Sequence, residues 1–254
     1  YNSGTPVNPM ALTPIPTYYY PLGGGSTGDA ADPATTLTVP NDSVPSATVF
    51  NFISSSSQRI DLGSNNSVFK PTGEFSFSVW VKFDAAAMTG YKGLFSTSTS
   101  GGAGGYILWK KTNTGTNPNS VQFAVREGSA WKWAYDSTTL VQDVWYNVVC
   151  TWDGSSINKI YLNSNVGYVT SNPTSIDYTG TTQSRIGDYA GYFMDGEMAN
   201  VQFWHKELTQ SEVNTVYNNG VPLLTGVQPQ AANLKAWYKL NVDTSNWDLT
   251  STSW

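Results

Sequence analysis

The chain has 254 residues, a net charge of −5 and only 12% charged side chains, and no basic cluster exceeds Lys110-Lys111. Because a nucleic-acid-binding surface needs concentrated positive charge, this composition argues against nucleic acid as a partner. Cys150 is the single cysteine, which excludes an internal disulfide, and no apolar stretch is long enough to predict membrane insertion.

Residues 1–46 are rich in proline and glycine and include the triplet Gly23-Gly24-Gly25. Proline fixes φ and removes a backbone hydrogen-bond donor, so this density disfavours a helix and most central strands. We predict an extended arm that runs over a surface, with one short strand near Tyr18-Tyr19-Tyr20.

From residue 49 onwards, alternating apolar segments predict β-strands. In the clearest one, Phe75–Phe83, every second residue is a large apolar side chain, so these side chains share one face. The other predicted strands are 49–53, 59–62, 91–95, 106–110, 121–126, 131–135, 145–152 and 159–163. Turn residues such as Asp153-Gly154 separate them. Short strands at this spacing predict an all-β fold, a two-sheet antiparallel β-sandwich.

Residues 185–220 contain the one segment that predicts a helix. Thr209 and Glu212 have the spacing of a capping box, and Gly220 is placed to end the helix in a left-handed conformation. We therefore predict one short helix near residues 209–218. Before it, the sequence predicts a strand start at 185–186, a hydrophobic loop at Tyr192-Phe193-Met194 and a strand over 197–204.

Three segments in this order resemble the laminin-G-like domains of the concanavalin A-like lectin/glucanase group. They are FSFSVWVKF at 75–83, WYNVVCTWDGSSINKIYLN at 145–163, and the run 185–220 with its Leu-Thr cap and its Tyr-Asn-x-Gly ending. The matches span about residues 47–224. The resemblance implies a concanavalin A-like jelly roll and says little about activity.

Two short motifs recur at an offset of about 216 to 218 residues: Tyr1-Asn2-Ser3-Gly4-Thr5-Pro6 matches 217–222, and Tyr19-Tyr20-Pro21-Leu22 matches 237–240. This offset is about one laminin-G-like unit, so we interpret the chain as one period of a tandem array, with chance similarity as the alternative. The predicted organisation is an arm over 1–46 that includes the end of a preceding repeat, a sandwich over 47–225, and a linker with the first strand of a following repeat over 226–254. That last strand would complete a neighbour's sheet edge. A start at Tyr1 instead of Met fits a processed or partial chain.

Some relatives with this fold are glucanases, so glycoside hydrolysis has to be considered. It needs two carboxylates flanking one bond, and glucanases of this fold carry them as Glu-x-Asp-x-(x)-Glu. The nearest approach is Asp195-Gly196-Glu197, whose glycine favours a structural loop. His205 has no nucleophile motif beside it, and Cys150 lies in an alternating strand. We predict a non-catalytic protein, with a glycoside hydrolase as a distant alternative.

Calcium is the candidate cofactor, because Ca²⁺ takes about six to eight oxygen ligands from loops. By the resemblance, the candidate ligands lie near one rim of the sandwich: Asp153, Asp188, Asp195, Glu197 and Asn200. The family often has Asp-Glu where this chain has Ala199-Asn200, so two carboxylates are missing. For Asp153 a turn role is the alternative.

Five aromatic residues are candidates for a glycan-binding or protein-binding surface. Trp80 and Trp145 fall on the strand face opposite the apolar sets, whereas Trp131, Trp133 and Tyr135 alternate on a single face. Exposed indole rings suit the C–H faces of sugars and are enriched in protein interfaces. The alternative is that loops or a neighbouring subunit cover these faces.

The composition, rich in Ser, Thr and Asn, is typical of β-rich extracellular or virion-surface proteins. Tandem laminin-G-like units of this kind resemble those of bacteriophage and algal-virus structural proteins. We therefore expect a structural or adhesion module: a capsid decoration, fibre or appendage. Its expected partners are other copies or neighbouring repeats in a homo-oligomer or larger assembly, with cell-surface glycan as a further partner. A carbohydrate-binding lectin domain is the alternative hypothesis.

Overall fold

The computed structural model describes residues 49–98, 104–169, 172–181, 183–223 and 227–240. The predicted arm over 1–46, with its short strand, lies outside these residues, and so does the segment 241–254.

The described residues form strands, short 3₁₀ turns and one α-helix. The strands are Phe50–Phe52 (β1), Ile60–Ser64 (β2), Phe75–Phe83 (β3), Lys92–Ser96 (β4), Tyr106–Lys110 (β5), Val121–Glu127 (β6), Ala130–Tyr135 (β7), Trp145–Trp152 (β8), Asn158–Leu162 (β9), Asn165–Val166 (β10), Tyr168–Val169 (β11), Gln183–Ile186 (β12), Gly196–Trp204 (β13) and Leu234–Tyr238 (β14). The α-helix is Gln210–Tyr217 (α1), and the 3₁₀ turns are Ser54–Ser56, Ser67–Phe69, Ala86–Met88, Asn218–Gly220 and Ala231–Asn233.

The strands form two antiparallel sheets packed as a sandwich. In the described part of the chain, the first sheet has the order β1-β13-β3-β8-β9-β10, with β14 also paired to β13. The second sheet has the order β11-β7-β6-β5-β4-β12-β2. This arrangement confirms the predicted all-β sandwich and matches a concanavalin A-like jelly roll.

The main core lies between the sheets and is dominated by aromatic rings. The predicted apolar face of β3 is buried there, and Phe75 packs against Tyr106 of the second sheet with ring centroids 4.6 Å apart. Phe77 packs against Phe95 in the same way, at 4.5 Å. Cys150 is fully buried in this core, and burial raises the pKa of its thiol, which fits the predicted packing role.

Helix α1 covers the outer face of the first sheet. Thr209 and Glu212 form the predicted capping box, with the backbone N–H of Thr209 donating to the Glu212 carboxylate at 2.8 Å. Val213 and Val216 are buried against Trp204 and Tyr161 of the sheet. The left-handed C-cap is Asn218, not Gly220 as predicted, because an asparagine also tolerates positive φ there. In the described ranges, no helix has the length and apolar character needed to cross a membrane.

One edge of β13 is shared by two strands that lie end to end. Strand β1 pairs with Gly196–Met198, and β14 pairs with Val201–Trp204. Asn200, at φ +50°, lies at the junction and donates its backbone N–H to the Lys239 carbonyl. The prediction that this C-terminal strand finds its partners outside its own sandwich is therefore wrong for Leu234–Tyr238. Its side chains Ala236 and Tyr238 pack on the core, which explains why it stays on its own sheet. The tandem organisation itself stays a prediction.

Candidate functional site

The outer face of the second sheet carries aromatic side chains, and no helix among the described residues covers it. Along β5, β6 and β7, alternate residues point away from the core, and register places Trp109 beside Gln122, Ala124 beside Trp133, and Arg126 beside Trp131. Ile107 and Ala124 are buried and form a flat apolar base beneath the larger rings. The small side chain of Ala124, on the middle strand β6, leaves room for the rings of β5 and β7 to meet.

Four half-buried rings form a row across this face, here called the aromatic row: Trp131, Trp133, Trp109 and Tyr91. Their successive centroids are 6.2, 5.5 and 4.5 Å apart. Trp109 stacks on both of its neighbours, with interplanar angles of 19° to Trp133 and 24° to Tyr91. The Trp109 Nε1 also donates to the Gln122 side chain at 3.1 Å. These contacts fix the row in one geometry.

Two tyrosines of the segment between β12 and β13 close over the row. Tyr189 meets Trp109 edge-on at 5.4 Å, and Tyr192, 44% exposed, meets Tyr91 edge-on at 5.5 Å. The backbone of this segment crosses β4 directly above Gly93, where any side chain would overlap Asp188 and Tyr189. Burial, with a smaller contribution from Tyr192, raises the pKa of Tyr189, so its hydroxyl stays protonated in neutral solution.

A cavity of about 320 Å³ opens beside Tyr91, at one end of the aromatic row, and is here called the row-end pocket. It is lined by Ser54, Thr89, Gly90, Tyr91, Lys92, Gly191, Tyr192 and Phe193. Beneath it, the buried Lys110 ammonium donates to the Gly90 carbonyl and to two further oxygens, which anchors the segment that carries Tyr91. The pocket therefore combines aromatic walls with hydroxyl and backbone groups that can form hydrogen bonds.

The other end of the row carries charge. The Arg126 guanidinium carbon lies 5.4 Å from the centre of the Trp131 ring. Glu127 pairs with Lys132 at 3.3 Å, and hydrogen bonds from the hydroxyl and N–H of Thr174 lower the pKa of Glu127 to about 2. Glu127 is therefore ionised at any ordinary pH.

Only some of the predicted aromatic residues lie together in the structure. The structure brings Trp131 and Trp133 together in the row, while Tyr135 shares their face but stacks on Tyr168 of the adjacent strand. Trp80 and Trp145 lie on the other sheet with 1% and 6% exposure, so the prediction of exposed rings there is wrong. The reason is that α1 covers this face, and Tyr217 stacks on Trp80.

The sequence analysis did not identify Tyr91 and Trp109 as members of the site. Tyr91 directly precedes β4 and Trp109 lies on β5, both distant from Trp131 in the chain, and only the strand order β4-β5-β6-β7 brings them together. The alternation of Ile107 and Trp109 with the core residues of β5 is a signal for the outward face, but it does not identify the neighbouring strands. The predicted hydrophobic loop does contribute Tyr192, although Met194 is buried.

The five predicted calcium ligands do not come together, because each has another partner. Asp188 pairs with Arg185 at 2.9 Å, Asp195 with Lys92 at 2.5 Å, Glu197 with Lys82 at 2.9 Å, and Asn200 accepts from Trp237 Nε1 at 2.7 Å. Burial raises the pKa of Asp153, but hydrogen bonds from the N–H groups of Ile157, Ser156 and Ser155 outweigh it and lower the pKa overall. Among the residues that the structure describes, no group of three or more His, Cys, Asp or Glu side chains is placed to hold a metal ion.

The glutamates are likewise engaged in structural contacts. Besides Glu127, Glu197 and the capping residue Glu212, Glu74 pairs with Lys206 at 2.6 Å and Glu207 with Lys159 at 2.8 Å. A second cavity, of about 420 Å³, includes His205, whose Nε2 lies 2.7 Å from the Val68 carbonyl oxygen. Its other lining residues lie at 67–74 and include no aromatic ring, so it lacks the character of the row-end pocket.

A family model described as the concanavalin A-like lectin/glucanases superfamily, of the Laminin_G_3 type, matches residues 54–214, which is more than half of the chain. The chain belongs to this superfamily. The match covers the strands of the aromatic row and most of α1. It confirms the resemblance seen in the sequence, whereas no curated protein matches the chain.

Solved structures share the fold of this superfamily member. A protein from Bacteroides ovatus, described as a candidate carbohydrate-binding protein, is 18% identical with a TM-score of 0.56, over 78% of this chain and 52% of that one. The Ruminococcus gnavus IT-sialidase CBM40, solved with bound alpha2,3 sialyllactose, is 13% identical with a TM-score of 0.50, over 63% and 92%. The binding domain of Paraclostridial Mosquitocidal Protein 1 is 12% identical with a TM-score of 0.53, over 71% and 46%. At these identities the likeness establishes the fold, and the chain spans about half the length of the Bacteroides structure.

Proposed function

We propose that this protein is a carbohydrate-binding module whose ligand lies on the aromatic row and extends into the row-end pocket. The observation that carries the proposal is the continuity of the two features, since Tyr91 ends the row and also lines the pocket. Several large aromatic rings that remain partly exposed on one face of a protein commonly mark a binding surface.

The shape of the site fits a sugar chain. Trp109 stacks on both Trp133 and Tyr91, so the rings at the two ends of the row, Tyr91 and Trp131, are the ones on which a sugar would stack. The pocket volume of about 320 Å³ lies at the lower end of the range for small-molecule sites, roughly 300 Å³ and above. One sugar residue in the pocket and its neighbours along the row would use both features.

Polar groups around the rings can pair with sugar hydroxyls. Gln122 and Arg126 lie along the row, and Ser54 and Thr89 line the pocket. A sugar leaves water only if its hydroxyls find new partners, so aromatic surface alone would be insufficient. The descriptions of the Bacteroides and Ruminococcus structures support the same class of ligand, although they share only the fold with this chain.

A glycan array followed by calorimetric titration of the best-binding sugar tests the proposal. We expect Tyr91→Ala and Tyr192→Ala each to weaken binding at least tenfold, because each removes a ring from the wall of the pocket. Tyr168→Ala is the matched control: this tyrosine is 60% exposed but stacks on Tyr135 at the sheet edge, away from the pocket. The affinity of the Tyr168→Ala variant for the glycan should stay within twofold of the wild type. Absence of any bound glycan across a diverse array, or equal losses in all three variants, would overturn the proposal.

A structural or adhesion role in an assembly is the second candidate, and exposed apolar side chains at one edge of the sandwich favour it. Val166 of β10 and Val169 of β11 are 56% and 40% exposed, and they lie where both sheets end. Edge strands of this kind offer unpaired backbone groups for pairing with a second copy of the chain. In this proposal the protein is extracellular or lies on a virion surface, and it is non-catalytic.

Light scattering after gel filtration tests the assembly role. If β10 and β11 pair with a second copy, the wild type should elute as a dimer or larger species, and Val166→Lys with Val169→Lys should convert it to a monomer. Lys235→Glu, an exposed change on β14, should leave the oligomer intact. A wild type that stays monomeric at about 100 μM would remove the proposed pairing of copies through β10 and β11.

A further inference from the structure

Arg126 differs from the other cations around the aromatic row in its electrostatic partners. Lys132, Lys92 and Arg185 each pair with a carboxylate of this chain. Arg126 forms no ion pair with any carboxylate of the described residues. Its charge contributes to the lowered pKa of Asp177, but hydrogen bonds from Thr179 contribute more.

The position of the guanidinium is fixed by two contacts. Arg126 Nε donates to the Gly128 carbonyl at 2.9 Å, and the guanidinium carbon lies over the Trp131 ring, 5.4 Å from its centre. Its charge also reaches the Tyr189 hydroxyl, where it lowers the pKa against the larger effect of burial. The guanidinium therefore lies at the Trp131 end of the row, and its terminal nitrogens donate to no described residue.

Because the Nε hydrogen bond and the Trp131 ring hold it in place, the Arg126 guanidinium presents its two terminal nitrogens as a planar fork of donors. This fork matches the two oxygens of a carboxylate, and such charge-assisted pairs are roughly twice as strong as neutral hydrogen bonds. The neighbouring indole supplies apolar contact for the ring that carries the carboxylate. Neutral hydroxyls would use the same fork less well, because they accept only one hydrogen bond in the required plane.

Resting on the proposed carbohydrate-binding function, we infer that the Trp131 end of the row binds an acidic sugar, with Arg126 pairing to its carboxylate. The preferred ligand is then a glycan that contains a uronic or sialic-type acid. Neutral sugar units of the same glycan occupy the rest of the row and the row-end pocket.

Titration with matched sugars tests this assignment: tetragalacturonic acid against its methyl ester, and 3′-sialyllactose against lactose. In at least one pair we expect the acid to bind the wild type at least tenfold more tightly than its neutral counterpart. Arg126→Gln should reduce that ratio to within twofold of unity, because the charge that favours the acid over its neutral counterpart is lost. Arg126→Lys should retain part of the preference, because a point charge remains but the fork is lost.

Lys235→Gln is the control, since it removes one exposed positive charge from the other sheet. It should keep the full preference for the acid. A neutral counterpart that binds as tightly as the acid, or an Arg126→Gln variant that keeps the preference, would overturn this inference while leaving the proposed function standing. If neither the acids nor the neutral sugars bind, and no glycan on the array binds, both this inference and the proposed function are overturned. Thermal unfolding midpoints within about 2 °C of the wild type show that the variants fold.

Discussion

Lys92 and Asp195 form an ion pair beside the row-end pocket that is nearly closed to water, with side-chain exposures of 12% and 6%. Burial raises the pKa of Asp195, but hydrogen bonds from Lys92 and Ser54 outweigh it, so the pKa is lowered overall. Since the folded-state pKa lies below that of the unfolded chain, the pair stabilises the fold above the unfolded pKa. This stabilisation is lost as the pH falls through the folded-state value.

Asp195→Asn should therefore destabilise the protein by about 3–5 kcal/mol at pH 7, because it leaves the Lys92 charge buried without a partner. Urea unfolding measures this loss, and the difference from the wild type should shrink at pH 3 and below. Asp61→Asn is the control: Asp61 pairs with Arg59 and Arg185, but its side chain is 44% exposed, so the expected cost is only about 1 kcal/mol or less. If the two variants lost the same free energy of unfolding, burial would not determine how much the Lys92–Asp195 pair stabilises the fold.

The acidic residues also show why ligand sets are hard to predict from sequence. Asp188, Asp195 and Glu197 are close together in the chain and rich in oxygen, which favoured calcium. Lys92 and Lys82, the partners of Asp195 and Glu197, are about a hundred residues away, so only the folded chain reveals that these two carboxylates are already neutralised. Asp153 is different, because its turn partners are local and the turn alternative was visible in the sequence.

At the level of elements, Gly93 connects the fold to the candidate site. It pairs with Trp109 in the sheet, and the segment 187–192 rests on it with no room for a side chain. This close approach brings Tyr189 and Tyr192 against Trp109. A larger residue on β4 would lift the segment from the sheet and open the aromatic row.

Gly93→Ala should weaken glycan binding at least tenfold and destabilise the fold by about 1–3 kcal/mol, the usual cost of overpacking. Titration and urea unfolding measure the two effects. Gly115→Ala is the control for binding, because Gly115 lies in an exposed turn with open space around its Cα, although its positive φ will cost some stability. If Gly93→Ala binds the glycan with unchanged affinity, the segment that carries Tyr189 and Tyr192 does not contribute to ligand binding.

Strand identity and core faces were predictable because they depend on local alternation. The five apolar residues of β3 and the capping box of α1 were read directly from the sequence and are confirmed. Which of the remaining faces is exposed depends on what covers it. Trp80 and Trp131 have similar local patterns, yet α1 covers the first and no described helix covers the second.

At the scale of the whole molecule, the two sheets have different roles. The first sheet is buried on both faces, by the main core and by α1, and provides most of the packing around β3 and β8. The second sheet has one face in the core and leaves the other to aromatic side chains and loops. This asymmetry supplies a rigid support on which the half-exposed rings are held in place.

The meeting of β14 and β1 along β13 has a consequence for how such bodies connect in series. Lys239 and Phe50 lie opposite Asn200 and Met198, positions only two residues apart, or roughly 7 Å along a strand. The chain thus enters and leaves the sandwich at the same corner. In the tandem array predicted from the sequence, the connections between units would therefore leave from this edge of the first sheet, and the aromatic row lies on the other sheet.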